Sequence, residues 1–281
     1  MTPDQYCQNK AIQSGSSFYY SFLYLPTEKR RAITALYAFC REVDDVVDEC
    51  TDTSVARIKL AWWRQEISSV FNATQEHRPA HPVAKALLAT IKEIDLTAEQ
   101  LYKVIDGMEM DLDYNRYTDF NTLKLYCHHV AGVVGELSAK IFGYRNDKTL
   151  IYAHNLGLAF QLTNIIRDIG EDARRGRIYL PQDELVRFGV SDDDILNSCE
   201  TNGFRQLMEF QIERAEEYYD KAFAALPAED RKNQLPGLIM AEIYRTLLEE
   251  IKNGGCQVMR QRVSLTPIRK LWIGWKTWVR G

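Results

Sequence analysis

No apolar stretch in this 281-residue chain reaches the roughly 18 residues needed to cross a bilayer. That excludes a transmembrane helix and leaves a protein in solution or held at a membrane surface. The start, MTPDQYCQNK, has neither the basic opening nor the apolar run of a signal peptide. A cytoplasmic location is expected, with any membrane contact peripheral and on the inner face. The six cysteines, Cys7, Cys40, Cys50, Cys127, Cys199 and Cys256, form no CxxC pair, so reduced thiols and no zinc site are expected. No GxGxxG follows a strand and no Walker loop occurs, so no dinucleotide or nucleotide triphosphate motif is visible. A helical di-iron protein would want Glu-x-x-His pairs, and there are none. His77, His81, His128, His129 and His154 look incidental. The formal net charge is only −4, which suggests no nucleic-acid partner. No Asn-Gly hairpin turn joins two alternating strands, and low-complexity linkers and fixed-period repeats are also missing.

What remains is helical almost throughout. Segments 29–50, 54–71, 83–94, 98–112, 120–142, 147–172, 204–226 and 236–252 carry apolar residues at three- and four-residue spacing. Thr27 after Pro26 reads as an N-cap, and Thr97 with Gln100 has capping-box spacing. Pro79, Pro82, Gly143, Pro181, Gly189, Pro227 and Gly254-Gly255 mark breaks. A single all-α domain over residues 1–281 is the economical reading. Five Trp, 15 Tyr and 11 Phe suit a deep apolar cavity, though a large core would use them equally well.

Two segments carry the chemistry. On a helix, Tyr37, Arg41, Asp44 and Asp48 fall on one polar stripe, beside an apolar stripe of Val43, Val46, Val47 and Cys50. Two carboxylates a turn apart can share a hard cation, although an ordinary amphipathic surface helix gives the same pattern. In the second segment Asn164, Asp168 and Asp172 share a face, while Leu162, Ile165, Ile166 and Ile169 take the other side. The apolar run Leu156 to Phe160 just upstream places Gln161 and Asn164 deep in the fold. A buried amide without a partner costs about 1–3 kcal/mol, so a ligand, a hydrated metal or an internal network must satisfy it. If the two helices face each other, four carboxylates surround one cavity, and their repulsion calls for divalent cations and a polyphosphate. Arg41, Arg167, Arg174, Arg175 and Arg177 lie in or just after these stripes, and guanidinium groups clamp phosphate oxygens well. A solvated basic turn is the alternative for the last three.

Ser17-Phe18, the Tyr37 to Asp48 segment, Tyr126-Cys-His-His-Val-Ala-Gly-Val-Val-Gly-Glu136 and Gln161 to Pro181 occur in that order. Together they resemble the squalene/phytoene synthase family over almost the whole chain. The resemblance implies a single-domain isoprenoid synthase helical bundle in which two Asp-x-x-x-Asp helices face across a central cavity. It implies several Mg2+ ions held by Asp44, Asp48, Asn164, Asp168 and Asp172. It also implies diphosphate contacts from Ser17, Arg41, Gln161, Arg167, Arg177 and Arg262, and cavity walls from Phe18, Tyr37, Tyr126 and Tyr244. Arg174 to Pro181 and the Trp-rich C-terminus are most similar to bacterial presqualene diphosphate synthases of the hopanoid type. On that resemblance the substrate is farnesyl diphosphate, two copies of which join head to head, and NADPH is not expected. Phytoene, dehydrosqualene and NADPH-dependent squalene synthases are the rivals within the family. A non-catalytic scaffold would be expected to have eroded the four aspartates.

The C-terminal segment differs from the rest. From Lys252 to Gly281 there are seven Lys or Arg and no Asp or Glu. Leu271, Trp272, Trp275, Trp278 and Val279 form one face of a short helix, with Lys270, Lys276 and Arg280 off it. That composition suits an anionic membrane surface. The alternative is a helix docked on the body with Trp packed and Lys exposed. Ala131, Gly132 and Gly135 are small enough to let helices approach closely or to leave room for a prenyl chain.

Overall fold

The computed structural model describes residues 1–74, 78–91 and 94–280. His77 and the end of the expected 83–94 helix, at 92–93, lie outside them. Helix starts fall where a short polar side chain can take an orphan backbone N–H. Thr2 caps α1 (Pro3–Gln13) in a full capping box with Gln5, and Ser16 caps α2 (Ser17–Phe22). Asp52 caps α4 (Thr53–Phe71), and His81 Nδ1 accepts from Val83 N at 3.2 Å to cap α5 (Pro82–Thr90). Thr97 caps α6 (Ala98–Asp113) as expected, but Gln100 Oε1 accepts from Lys140 Nζ at 3.1 Å instead of closing the box. Thr27 does not cap α3 (Thr27–Glu49). Pro26, locked at φ −54°, takes the N-cap position and Thr27 is already helical.

The expected helix over 120–142 is interrupted. α7 (Phe120–Cys127) passes through a π-turn at His128–Gly132 into α8 (Val133–Phe142). There His128 sits beside His154, ring centroids 5.1 Å apart, and Glu136 Oε1 lies 2.9 Å from His154 Nδ1. α9 (Lys148–Arg174) follows, then the short α10 (Gln182–Arg187) and α11 (Asp192–Leu196), α12 (Asn202–Ala225), α13 (Leu235–Asn253) and α14 (Pro267–Arg280).

α9 organises the molecule. It is buried on most sides, as its apolar composition requires, and packs along α12, α8, α13 and the π-turn. Its contact with α8 is backbone against backbone. A Cβ on Gly135 would lie 2.2 Å from Ala153 O, and one on Gly157 2.3 Å from Ala131 O. The small residues of this region thus allow the close approach anticipated for them. One apolar cluster gathers around α9, α12 and α13. A second gathers around α3, α4, α5, α6 and α8. Phe18 and Val130 touch both. The polar stripes of α3 and α9 look into the gap between the two clusters.

α14 docks on α13 and α2 and stacks Trp278 on Tyr24, while Trp272 and Trp275 lie against each other. Ile273 packs against the core, and a Cβ on Gly274 would sit 3.3 Å from Tyr24 Cε2. Leu271, Trp272, Trp275, Trp278 and Val279 are each 42–59% exposed. The helix is docked, as the alternative above has it, but its tryptophans stay about half exposed, because Gly274, which brings the helix onto Tyr24, lies opposite Trp272. The side chain of Arg280 lies outside the described residues.

Candidate active site

On α3 the 3.6-residue period carries Tyr37, Arg41, Asp44 and Asp48 down one face, and all four line a cavity of about 540 Å3. Asp44 is bonded by Arg41, whose other nitrogen reaches Asp45. Asp48 reaches across to the loop after α9, where Arg175 lies 2.9 Å and Arg177 3.1 Å from its two oxygens. Those ion pairs between segments about 130 residues apart show that the two acidic stripes converge.

The loop is itself held. Ile178 N donates to Asn115 O at 3.2 Å and Gln182 N to Tyr117 O at 2.9 Å, while Arg116 Nη1 donates to Gly176 O at 2.8 Å. Gly176, at φ +76°, supplies the left-handed turn that brings Arg177 N back to Asp172 O at 3.0 Å. On α9, Arg167 Nε donates to Asp168 Oδ1 at 2.8 Å. Arg262 Nε, from the segment before α14, donates to the same oxygen at 2.9 Å.

Every expected site residue lines this one cavity: Ser17, Phe18, Tyr37, Arg41, Asp44, Asp48, Tyr126, Gln161, Asn164, Arg167, Asp168, Asp172, Arg177, Tyr244 and Arg262. Arg174 does not line it and is exposed. Below the polar cavity lies an apolar compartment of about 180 Å3, reaching down to Phe22, Phe142, Tyr152 and Met240. Phe18, Tyr37, Gln161 and Asn164 line both spaces and so form the junction. Phe18 is the hub of an aromatic cluster there, its ring 5.9 Å from Tyr37, 6.0 Å from Phe160 and 6.3 Å from Tyr244.

The electrostatics are strained toward a cationic ligand. Burial pushes Asp44 up to about 6; Arg41 opposes this and Asp48 reinforces it. Burial, with Asp168 and Asp111 adding to it, pushes Asp172 up to about 7. Burial works against the charge of Arg167, yet its bond to Asp168 and the groups around it hold its pKa above the ordinary arginine value. Asn164 Nδ2 donates weakly to Gln161 Oε1 at 3.4 Å, and its buried Oδ1 has no hydrogen-bond partner. An orphaned carbonyl oxygen among carboxylates is a hard-donor set of the kind magnesium takes. Among the described residues no three His, Cys, Asp or Glu converge on a single point. The carboxylates come as pairs, which leaves other coordination positions to water or substrate oxygens.

Asp111 and Tyr179 escaped the sequence reading. Asp111, on α6 and 7% exposed, accepts from Tyr126 OH and from Tyr179 OH, both at 2.9 Å. Nothing in its spacing singled it out on an acid-rich helix, because its partners arrive from α7 and from the loop after α9. Burial pushes it up to about 7, against the pull of Arg177 and the two phenols. The folded protein therefore keeps a proton here that the unfolded chain, at 3.8, loses between about pH 4 and pH 7. Asp111 thus makes the fold less stable as pH rises through that window. Asp111→Asn removes this contribution, so the variant's unfolding free energy should fall less between about pH 5 and about pH 8, by on the order of 3 kcal/mol. Urea titrations at the two pH values check it, and an unchanged slope would place the titration elsewhere.

A helical body with paired acids and arginines around a cavity that runs on into an apolar compartment defines a protein built for amphiphilic anions. The sequence profile of the squalene/phytoene synthase family matches residues 12–269. Phytoene synthase of Arthrospira platensis is 36% identical, the match covering 94% of this chain and 89% of that protein. Chloroplastic phytoene synthase 2 of Solanum lycopersicum is 35% identical, with 94% and 86% covered. Among solved structures, a ligand-bound dehydrosqualene synthase superposes with a TM-score of 0.85 at 26% identity, covering 99% of this chain and 96% of that one. Squalene synthase HpnC from Alicyclobacillus acidocaldarius gives 0.76 at 27%, covering 90% and 94%. The chain belongs to the squalene/phytoene synthase family, whose members are prenyltransferase-type enzymes that condense isoprenyl diphosphates.

Proposed function

We propose that this protein is a magnesium-dependent prenyltransferase that joins two farnesyl diphosphates head to head, giving presqualene diphosphate and free diphosphate for squalene or hopanoid synthesis. The observation that carries this reading is the junction at Phe18, Tyr37, Gln161 and Asn164 between an acid- and arginine-lined cavity and an apolar compartment. A prenyl diphosphate has the same two halves. Magnesium bound by Asp44, Asp48, Asp168, Asp172 and the Asn164 oxygen would supply charge to the leaving diphosphate.

The protein's own groups act around that. Arg41, Arg167, Arg177 and Arg262 release their carboxylates in part and donate to phosphate oxygens, favouring the charge that builds as the donor C–O bond breaks. The faces of Phe18, Tyr37 and Tyr244 stabilise the allylic cation electrostatically, and the apolar compartment keeps water from it. The C2–C3 double bond of the second substrate attacks C1 of the cation. Loss of one proton from the adduct closes the cyclopropane, and the freed diphosphate accepts that proton, so no protein base is required. Tyr126, held by Asp111, faces the same cavity.

A C15 substrate is favoured by the likeness to a dehydrosqualene synthase and to squalene synthase HpnC, both above 25% identity. A second reading, condensation of C20 substrates, is favoured by relatives named phytoene synthases at 34–36% identity. Incubation with magnesium and either farnesyl or geranylgeranyl diphosphate, with and without NADPH, separates them. Presqualene diphosphate as the end product, unaffected by NADPH, is expected from the C15 substrate. Phytoene from the C20 substrate would establish the second reading, and no coupled product from either would end both.

A further inference from the structure

We infer that α14 is a membrane-docking helix that seats the protein on an anionic lipid surface through Trp272, Trp275 and Trp278. The helix has two sides with different jobs. Its inner side is committed to the body: Ile273 and Gly274 pack on it, and Lys270 lines the polar cavity, its Nζ 5.6 Å from the ring centroid of Tyr20. Its outer side carries Trp272 and Trp275, 58% and 48% exposed, with Leu271 and Ile268 exposed beside them and Trp278, 50% exposed, at the edge of the patch. Trp272 and Trp275 lie 5.0 Å apart, and Trp278 stacks on Tyr24 of the body at 6.0 Å and 27°. The stack ties the edge of the patch to the segment just after α2. Exposed apolar patches of this kind mark interaction surfaces.

Charge decides the occupant. α14 carries Arg269, Lys270, Lys276 and Arg280 and no acid, and no acid occurs after Glu250. Arg262 and Arg269 pair with Asp168 and Glu250, whereas Arg260 and Lys276 are exposed. A second copy of the chain docking face to face would bring the cations of one α14 against those of the other, and Glu250, the acid at its edge, is already paired with Arg269. An anionic lipid surface supplies the missing charge, and indole rings partition to the headgroup level where one edge is apolar and the other wet. Because Lys270 of the same helix borders the cavity, seating the outer side on lipid holds the cavity next to the bilayer. This reading does not depend on which prenyl diphosphate is used, since its test reads binding.

The test is co-sedimentation of the full-length protein with sucrose-loaded vesicles of phosphatidylglycerol and phosphatidylcholine, with pure phosphatidylcholine as the comparison. The wild type should partition to the anionic vesicles, less so in high salt, with a blue shift of tryptophan emission. Trp272→Ser/Trp275→Ser should lower that partitioning roughly tenfold or more, because two large apolar surfaces are withdrawn. Circular dichroism and turnover in detergent-dispersed substrate should stay at wild-type values. Equal sedimentation of the double variant, or no wild-type binding to the anionic vesicles, would overturn the inference. So would a wild-type dimer, without lipid, that the double variant converts to monomer.

Discussion

Asp168→Asn is expected to lower turnover on the order of 10³-fold while leaving the fold intact. Asp168, like Asp48, is shared by two arginines. Arg167 donates to it from the preceding position on α9, and Arg262 donates from 94 residues away. Asparagine keeps the volume and can still accept one bond, so the packing around α9 is undisturbed. What it loses is the negative charge. Two guanidinium groups are then left facing a neutral amide, and the proposed magnesium would lose one of its anionic donors. Both changes weaken the grip on a leaving diphosphate at the moment its charge grows, which is where binding energy converts to rate. The thermal midpoint should move little, because the amide retains a hydrogen bond and the site is already crowded with carboxylates. Steady-state kinetics with a circular dichroism melt checks both halves. Turnover near the wild-type value in a folded variant would remove Asp168 from the proposed metal and diphosphate site, and Asp44→Asn tests the facing helix in the same way.

Gly170→Ala should cost both stability and activity, although alanine is the better helix former by about 1 kcal/mol. Gly170 lies between Asp168 and Asp172 on α9, and a Cβ there would meet Met259 O at 2.1 Å and Met259 C at 2.6 Å. Backbone cannot rotate away as a side chain can. α9 is clamped by α12, α8 and α13, so the Met259 segment must move. Overpacking of this kind costs about 1–3 kcal/mol, which outweighs the gain in helix propensity. Three residues after Met259 stands Arg262, whose bond to Asp168 at 2.9 Å cannot survive a shift of that size unchanged. Urea unfolding should show the loss of stability, and turnover should fall by roughly tenfold or more. Part of the activity loss should vanish in an Arg262→Ala background, because the contact being displaced is already gone. Full additivity of the two substitutions would show that Gly170 acts without Arg262.

Much of this architecture was legible because helix periodicity is local. The stripes Tyr37, Arg41, Asp44, Asp48 and Asn164, Asp168, Asp172 follow from spacing alone, and so do the buried backs of both helices. Capping was read correctly at Thr97 and misread at Thr27, where Pro26 takes the terminal position. The π-turn at His128–Gly132 could not be foreseen. An apolar pattern at three- and four-residue spacing continues across it, and the extra residue per turn shows only in three dimensions. Asp111 was invisible for a similar reason. A carboxylate on an acidic helix becomes a buried acceptor for two phenols only when α7 and the loop after α9 close over it.

By itself, the sequence determined the helices, the acidic faces and the basic, aromatic character of the C-terminal segment. Each of these depends on residues within a turn or two of one another. The tertiary structure decided which arginine meets which aspartate, that Arg175 lines the cavity and Arg174 does not, and that Trp272 and Trp275 of α14 stay exposed while Trp278 stacks on Tyr24. Those outcomes rest on contacts between segments tens to hundreds of residues apart. Such contacts are set by how whole helices fill space, as when Gly274 and Trp278 set α14 against Tyr24 and leave Trp272 and Trp275 at the surface.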